Sequence, residues 1–303
     1  MNRYFCYRGF GLIIHSEIEL PELPAASADG RKDDDAKVVI RLGTVPQVPR
    51  HATLDEELAI NSLGAAFLIR NGTEITVDIR PDADPDAVRV VLLGRVMAFL
   101  LRQRGWLPLH ASGVVLGNEC ILFLGAAGAG KSTIAAAFHR AGHFVATDDV
   151  GAVRIAGERC CVVQSAWSYV RLRDDARVVL GDSGPAAAFH ANKHRYDLNG
   201  GITGGDLYTV RCAYVVEDGD ATQAEPIETL RATTLLSRYS FVRHHNMERE
   251  ALQCHLRDCS AVASAIPVRR LVRPRSLVAL PAVVRFVEKD LAGLTGRTHT
   301  SSG

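Results

Sequence analysis

The 303-residue sequence predicts an α/β protein in which a β-rich N-terminal region precedes a core organised around one glycine-rich loop. In residues 1–82, short β-branched and aromatic runs alternate with turn-forming residues, which is typical of strands joined by tight turns. In the core, an apolar run at 120–124 leads into the loop at 125–132, and an alanine-rich stretch that favours a helix follows. We therefore expect a strand, a loop and a helix in direct succession.

The chain is expected to contain a β-rich domain at 1–82, a connecting helix at 83–105, an α/β core at 106–295 and a disordered polar tail at 296–303. In the first domain, strands are expected at 4–7, 11–15, 38–42, 66–70 and 74–79. Asn71-Gly72 separates the last two of these strands and is typical of a hairpin turn. Asp84-Pro85 begins the connecting helix, and Gly105 ends it.

The core is expected to alternate strands with helices. Its predicted strands lie at 114–116, 120–124, 143–147, 150–155, 159–164, 207–217 and 266–272. Its predicted helices lie at 132–141, 174–180, 229–242, 247–263 and 277–291. The stretch between 181 and 207 is rich in Gly, Asp and Asn, which predicts a long loop of the kind that often serves as a lid.

Composition and charge exclude several classes of protein. The net charge is +1, so the chain as a whole carries no basic surface for nucleic acid. No apolar run approaches the roughly 18 residues of a membrane span, and the N-terminal residues do not form a secretion signal. The seven cysteines are scattered and form no C-x-x-C pair, which indicates reduced thiols in the cytoplasm. We expect neither a nucleic acid nor a membrane as a partner.

The glycine-rich loop reads Gly-Ala-Ala-Gly-Ala-Gly-Lys-Ser and matches the phosphate-binding pattern G-x-x-x-x-G-K-[ST]. Its glycines let backbone N–H groups surround phosphate oxygens, Lys131 adds positive charge, and the Ser132 hydroxyl can ligate Mg²⁺. The expected nucleotide-binding residues are Gly125, Ala126, Ala127, Gly128, Ala129, Gly130, Lys131, Ser132 and Thr133. The alternative is a glycine-rich turn that binds nothing.

Further polar candidates lie on either side of the loop. His110 lies on a strand beside the phosphate site, although a single histidine is more often structural. Asp148 and Asp149 end the strand that follows the loop helix, where they suit metal binding or base catalysis; the alternative is a turn or cap. Lys193 and Arg195 are candidates for contacting phosphate or an acidic partner, the alternative being a solvated basic turn.

The segments 110–113, 125–132 and 146–149 together resemble the catalytic domain of the HPr kinase/phosphorylase family, whose P-loop core is similar to that of phosphoenolpyruvate carboxykinase. His110 precedes Lys131 by 21 residues, and Asp148 follows it by 17. The resemblance covers about 105–290 and is specific through Val153. It implies that 106–295 is a catalytic domain that uses ATP and Mg²⁺ to phosphorylate a serine hydroxyl.

The same resemblance implies a role for each candidate residue. Asp148 would be the general base that takes the proton from the acceptor serine, with His110 assisting it. Lys131 and the loop amides would hold the triphosphate, and Ser132 and Asp149 would serve Mg²⁺. These roles match what phosphoryl transfer requires, namely positioning, neutralisation of charge and a base on the acceptor hydroxyl.

The sequence also departs from the family pattern. Thr133 stands where the family usually has Glu, and the acidic-Val-Arg-Gly-Leu-Gly signature tied to the reverse, phosphorylase activity is absent. Asp174 and Asp175 are candidates to replace the missing metal-binding glutamate. The front of the chain and the stretch at 103–112 resemble HPr-kinase-like proteins of peptide-modification clusters. Some of these accompany lasso-peptide synthesis and phosphorylate the C-terminal serine of a precursor.

The leading hypothesis is an ATP- and Mg²⁺-dependent kinase that phosphorylates a serine of a peptide or small protein, with the C-terminal serine of a lasso-type precursor as one acceptor. The first alternative is a P-loop ATPase or switch that transfers phosphate only to water. The second is an accessory module that binds nucleotide and delivers a peptide to partner enzymes. A carboxykinase-like reaction rests on fold analogy alone. A homo-oligomer is compatible with all of these hypotheses.

Overall fold

The computed structural model describes residues 4–26, 37–46, 57–165, 169–173, 175–176, 180, 188–189, 193–198, 207–242 and 249–295. The fold is mixed α/β, and its N-terminal region is rich in strands. In chain order the strands are β1 (Phe5–Gly9), β2 (Leu12–Ser16), β3 (Lys37–Leu42), β4 (Glu57–Ser62), β5 (Ala65–Arg70), β6 (Glu74–Ile79), β7 (Leu107–Leu116), β8 (Glu119–Leu124), β9 (Phe144–Thr147), β10 (Val150–Ala156), β11 (Arg159–Val163), β12 (Tyr169–Leu172), β13 (Ala188–Phe189), β14 (Lys193–Asp197), β15 (Leu207–Asp218), β16 (Gln223–Pro226) and β17 (Val268–Arg273). The helices are α1 (Pro85–Val91), a π-helical turn (Leu92–Val96), α2 (Met97–Gln103), α3 (Lys131–Arg140), α4 (Thr229–Arg238), α5 (Arg249–Ala265), a 3₁₀ turn (Leu277–Ala279) and α6 (Leu280–Thr295).

Six strands form the N-terminal sheet, in the order β1-β2-β3-β6-β5-β4. The predicted hairpin is confirmed: Asn71 and Gly72 have positive φ values of 50° and 63°, and they join the antiparallel strands β5 and β6. The five predicted strands of this region are present, with ends shifted by a residue or two. The sequence missed β4, because its residues Glu-Leu-Ala-Ile-Asn-Ser show little β-branched or aromatic character.

A long helical segment from Pro85 to Gln103 packs between the N-terminal sheet and the central sheet. As the sequence predicts, Asp84 caps its start by accepting a hydrogen bond from the Asp86 amide at 3.0 Å, and Gly105 follows its end with a φ of 77°. A π-helical turn interrupts it in the middle. Its apolar residues contact both sheets, which explains why nearly every face of the segment is apolar.

The central sheet has the strand order β11-β10-β7-β8-β15-β17-β16, with β9 paired to β7. Strands β8, β15 and β17 run parallel, whereas β7 runs antiparallel to β8, β9 and β10. Helices α3 and α6 cover one face of this sheet, and α4 and α5 cover the other, giving three layers. The carboxyl ends of β8, β15 and β17 therefore meet at one edge, which is where open α/β sheets usually bind ligands.

Several parts of the core differ from the sequence expectation, among them the strands β12 and β16, which were not predicted. The helix predicted at 229–242 ends at Arg238, because the next residues pair with β7: Ser240 bridges Leu109, and the Phe241 amide donates to the Pro108 carbonyl at 3.0 Å. The stretch at 181–207 is not entirely loop, since β14 pairs with β12 and β13 in a three-stranded sheet. Its polar sequence, Lys-His-Arg-Tyr-Asp, conceals this strand. The charged piece at 29–36, most of 174–180 and the tail from 296 lie outside the described residues.

No helix within the described ranges is long and apolar enough to cross a membrane.

Candidate functional site

The glycine-rich loop joins the end of β8 to the start of α3, as the sequence predicts. Strand β8 ends at Leu124, and α3 begins at Lys131. Gly128 and Gly130 have φ values of 84° and 87°, a region that L-residues rarely adopt. Residues 126–128 are exposed, whereas Gly125 and Lys131 are buried. The loop thus has an exposed middle and two anchored ends.

The lysine of the loop lies folded against the loop itself. The Lys131 side chain is only 7% exposed, and its Nζ donates to the Gly125 carbonyl at 2.9 Å and the Ala126 carbonyl at 3.2 Å. These contacts hold an ammonium group at the carboxyl edge of the central sheet. Lys131 therefore brings a positive charge to the loop before any ligand is bound.

Two of the loop glycines lie where a side chain has no room. A Cβ on Gly125 would lie 3.0 Å from the Val216 carbonyl oxygen, and a Cβ on Gly130 would lie 2.2 Å from Nη2 of Arg273. Gly128 is different, because nothing lies within 4 Å of the position its Cβ would take. At the first and last glycines a side chain would thus displace a neighbour as well as strain the backbone.

The first of the two predicted aspartates points at the loop helix. Asp148 follows β9, is 5% exposed, and accepts hydrogen bonds on Oδ1 from two hydroxyls. Ser132 Oγ donates to it at 2.9 Å and Ser112 Oγ at 2.5 Å. A carboxylate that accepts hydrogen bonds from neighbours on two different elements is held in one orientation. Asp148 is therefore coupled to the serine that the sequence predicts as an Mg²⁺ ligand.

The second aspartate turns the other way and pairs with His110. Asp149 has a φ of 67°, and the Val150 amide donates across it to the Asp148 carbonyl at 2.8 Å, so Asp149 is the centre of a γ-turn. Such a conformation costs a non-glycine residue about 1–3 kcal/mol and is concentrated at functional sites. It places Asp149 Oδ1 at 3.0 Å and its carbonyl oxygen at 3.1 Å from His110 Nδ1.

This pairing assigns the tautomer of His110. A carbonyl oxygen and an ionised carboxylate only accept hydrogen bonds, so Nδ1 of His110 carries the proton that both Asp149 oxygens receive. In the neutral ring, Nε2 then has an open lone pair. The His110 side chain is 39% exposed, which leaves the ring accessible to a substrate.

Main-chain and aromatic contacts hold His110 in place. Its backbone amide donates to the Tyr239 carbonyl at 2.7 Å, and its ring meets the Phe241 ring edge-on at a centroid distance of 5.6 Å. The π-helical turn lies close to this pair, since a Cβ added at Gly94 would lie 3.4 Å from Asp149 Oδ2. π-Helical turns often accompany functional sites because they displace the backbone locally.

The geometry brings together Lys131, Ser132, Asp148, Asp149 and His110, which the sequence singled out. The contacts of His110 go to Asp149, not to Asp148 as the family-implied roles suggest. Thr133 is half-buried on the first turn of α3.

The structure does not show any of the four other candidates in this group. Lys193 and Arg195 lie on β14, but their side chains lie outside the described part of the chain, as does the whole of Asp174. Asp175 is exposed and accepts a hydrogen bond from the adjacent Ala176 amide at 2.9 Å.

Two residues of the site were missed at the level of sequence. Ser112 follows His110 by two positions on β7, so strand periodicity places both side chains on one face. That spacing was a usable signal. Arg273, at the end of β17, reaches the loop from a distant part of the sequence, and no local pattern marks it.

The donor set suits a hard cation that takes few protein ligands. Within the described ranges, no group of three or more His, Cys, Asp and Glu residues could enclose a metal ion. Mg²⁺ does not need such a group, because it usually binds one or two carboxylates and completes its shell with water and phosphate oxygens. The Ser132 hydroxyl and the Asp148 carboxylate, 2.9 Å apart beside the loop, are oxygen donors of this kind.

Comparisons with known proteins add little to the geometry. No protein-family model matches the chain, and no curated protein matches it. Among solved structures, it is similar to the Hpr(Ser) kinase/phosphatase from Coxiella burnetii, with 13% sequence identity and a TM-score of 0.33. The match covers 65% of this chain and 99% of that one. A likeness of this size assigns neither a family nor an activity to the chain.

Proposed function

We propose that this protein is a kinase that uses ATP and Mg²⁺ to phosphorylate a serine hydroxyl of a peptide or small protein. One observation carries the proposal: two consecutive aspartates beside a phosphate-loop sequence have different partners. Asp148 pairs with Ser132 of the loop, and Asp149 pairs with the accessible His110. Phosphoryl transfer needs both a charge-neutralising group and a base, and this arrangement supplies a residue pair for each.

Lys131 and the loop amides bind the triphosphate in this proposal. The Lys131 ammonium donates to two carbonyls of its own loop, and phosphate oxygens are stronger, charged acceptors than those carbonyls. The loop amides lie at the N-terminus of α3, where the helix dipole favours an anion.

Ser132 and Asp148 hold Mg²⁺. When bound, the cation neutralises charge on the phosphate oxygens. The buried Asp148 is better suited to this role than to proton transfer, since it is 5% exposed and already accepts two hydroxyl hydrogen bonds. With Mg²⁺ bound, Ser112 would keep the Asp148 carboxylate oriented and Ser132 would supply a hydroxyl ligand.

His110 acts as the base, and Asp149 accepts the hydrogen bond from its Nδ1. Nε2 of His110 takes the proton of the acceptor serine as the serine oxygen attacks the terminal phosphorus of ATP. The bond from that phosphorus to the bridging oxygen breaks, and ADP leaves. The Asp149 carboxylate keeps the proton on Nδ1 and stabilises the imidazolium that forms, the same division of work as in a Ser-His-Asp triad. The resemblance to HPr kinases implies the reverse distribution, with Asp148 as the base and Asp149 on the metal.

The variants Asp148→Asn and Asp149→Asn distinguish the two assignments of base and metal ligand. Each variant is the control for the other. Rates of phosphate transfer are measured against Mg²⁺ concentration for both. We expect Asp148→Asn to raise the Mg²⁺ needed for half-maximal rate at least about tenfold. We expect Asp149→Asn to lower kcat by about 10²–10⁴ with unchanged Mg²⁺ dependence.

If Asp148→Asn lowered kcat and Asp149→Asn changed the Mg²⁺ dependence, Asp148 would be the base and Asp149 the metal ligand, as the family resemblance implies. Full activity in both variants would remove the site from phosphate transfer altogether.

For the acceptor, the support is the sequence alone. The stretches 7–23 and 103–112 resemble HPr-kinase-like proteins of peptide-modification clusters, so we propose a ribosomal precursor peptide, with its C-terminal serine as the first candidate. Phosphate transfer is compared for peptides that end in serine, alanine or threonine, which distinguishes the C-terminal serine from other serines of the same substrate. Transfer that is unaffected by replacing the terminal serine would exclude it as the acceptor.

A further inference from the structure

A buried arginine lies directly against the phosphate loop. Arg273 is the last residue of β17, which runs parallel to β15, as β15 does to β8. Because the carboxyl ends of parallel strands share an edge, the end of β17 comes close to the loop that follows β8. Nη2 of Arg273 donates to the Ala129 carbonyl at 2.8 Å, and Nη1 donates to the Pro274 carbonyl at 2.8 Å.

This arginine has no close counter-charge within the described part of the chain. It is 4% exposed, its Nε is buried without a hydrogen-bond partner, and its two hydrogen bonds go to neutral carbonyls. Asp218 is the carboxylate that acts on it at longer range, and Arg275 approaches that carboxylate to 3.4 Å. Burial lowers the pKa of the Arg273 guanidinium, while Asp218 opposes this effect and Arg275 adds to it.

A partly buried arginine on the same strand has a carboxylate partner. Arg269 Nη2 donates to Asp290 Oδ1 at 2.9 Å and to the Ala224 carbonyl at 3.1 Å. Its Nε, like that of Arg273, makes no hydrogen bond, but it lies 2.9 Å from Asp290 Oδ2 in an ion pair. Its charge is therefore compensated within the protein. Burying a charge without such a partner is costly, and a protein gains by replacing it unless the charge has another use. The different surroundings of these two arginines need an explanation.

We propose that Arg273 is a positioning residue of the phosphate site and that the phosphates of the bound nucleotide are the counter-charge it lacks. This inference rests on the proposed function and extends it to a residue that the sequence did not identify. The guanidinium holds the Ala129 carbonyl to one side, which fixes the peptide units before Lys131 and aims the loop amides. Its positive charge adds to that of Lys131 where the phosphates bind.

The test compares Arg273→Met with Arg269→Met, two substitutions of similar size on one strand. Thermal unfolding is followed with and without Mg-ATP, and the Kd for ATP is measured by calorimetry. For Arg273→Met we expect a Kd at least about tenfold higher and a smaller ATP-induced rise in Tm. The unliganded Tm should equal or exceed that of the unmodified protein, because removing the buried charge offsets the loss of its two hydrogen bonds. For Arg269→Met we expect a lower unliganded Tm, because Asp290 loses its ion-pair partner and keeps only the Tyr214 hydroxyl, and an unchanged Kd.

Each other outcome decides against the inference in a recognisable way. A Kd within twofold of the unmodified value in Arg273→Met would show that the charge does not serve the nucleotide. A clear fall in the unliganded Tm of Arg273→Met would make the residue a structural one. Arg273→Lys keeps the charge but loses the planar fork, so it should recover part of the affinity, and no recovery would contradict a role for the charge. Failure of the unmodified protein to bind ATP would instead overturn the proposed function, and this inference with it.

Discussion

Alanine substitutions at two glycines of the phosphate loop should lower the free energy of unfolding by different amounts, because only one of them meets Arg273. Gly128 and Gly130 have nearly the same φ, 84° and 87°, so alanine at either position suffers similar backbone strain, about 1–2 kcal/mol. At Gly128 the added methyl group meets nothing within 4 Å. At Gly130 it would lie 2.2 Å from Arg273 Nη2. The pair therefore isolates the contact with the arginine.

The hydrogen bonds that must break set the difference in unfolding free energy between Gly130→Ala and Gly128→Ala. The Arg273 guanidinium must move to admit the methyl group, and it would lose its bonds to the Ala129 and Pro274 carbonyls. At about 1 kcal/mol for each bond, Gly130→Ala should be about 2 kcal/mol less stable than Gly128→Ala. In a protein of 303 residues that difference corresponds to a Tm lower by about 3 °C.

The measurement is thermal and urea unfolding of both variants without nucleotide, so that ligand binding does not enter. Adding Arg273→Met to Gly130→Ala should remove most of the difference, because methionine is flexible and makes no hydrogen bond there. Equal stability of the two single variants would refute the close approach of Arg273 to the loop.

Two further predictions concern titratable side chains elsewhere. Burial lowers the pKa of His139 below its ordinary value of 6.5, so the unfolded chain takes up a proton first as the pH falls. Stability should therefore decline as the pH falls through about 6.5. His139→Asn should flatten this decline in urea unfolding measured at several pH values, and an unchanged slope would exclude His139 as a source of it. Burial, reinforced by Cys161, raises the pKa of the Cys160 thiol to about 12, whereas Cys254 is exposed. Iodoacetamide at about pH 8, followed by peptide mapping, should therefore label Cys254 at least about 100-fold faster than Cys160 in the folded protein, and comparable rates would contradict the burial of β11.

The sequence predicted those parts of the fold that local patterns determine. The strand–loop–helix unit around Lys131, the hairpin at Asn71 and the helix capped by Asp84 all carry turn or cap residues at fixed offsets. The strands β4 and β16 were missed, since both depend on pairing with a neighbour more than on their own residues. The shortened α4 has the same cause, because its expected last turn pairs with β7 instead.

The site could be located from the sequence, but its internal pairing could not. Asp148 and Asp149 are adjacent and chemically identical, and only the positive φ of Asp149 turns one towards Ser132 and the other towards His110. No sequence pattern requires that turn. Arg273 lies 142 positions beyond Lys131 in the chain, so its approach to the loop depends on the order of strands in the central sheet.

The central claim is phosphate transfer to a serine, and intact-mass spectrometry tests it most directly. The protein is incubated with ATP, Mg²⁺ and the peptides encoded beside its own gene, and each peptide is weighed before and after. We expect one phosphate mass to be added to a peptide that carries serine, and this gain to be lost with Asp149→Asn. Steady consumption of ATP with no gain in peptide mass would contradict a kinase and favour a hydrolase that transfers phosphate to water.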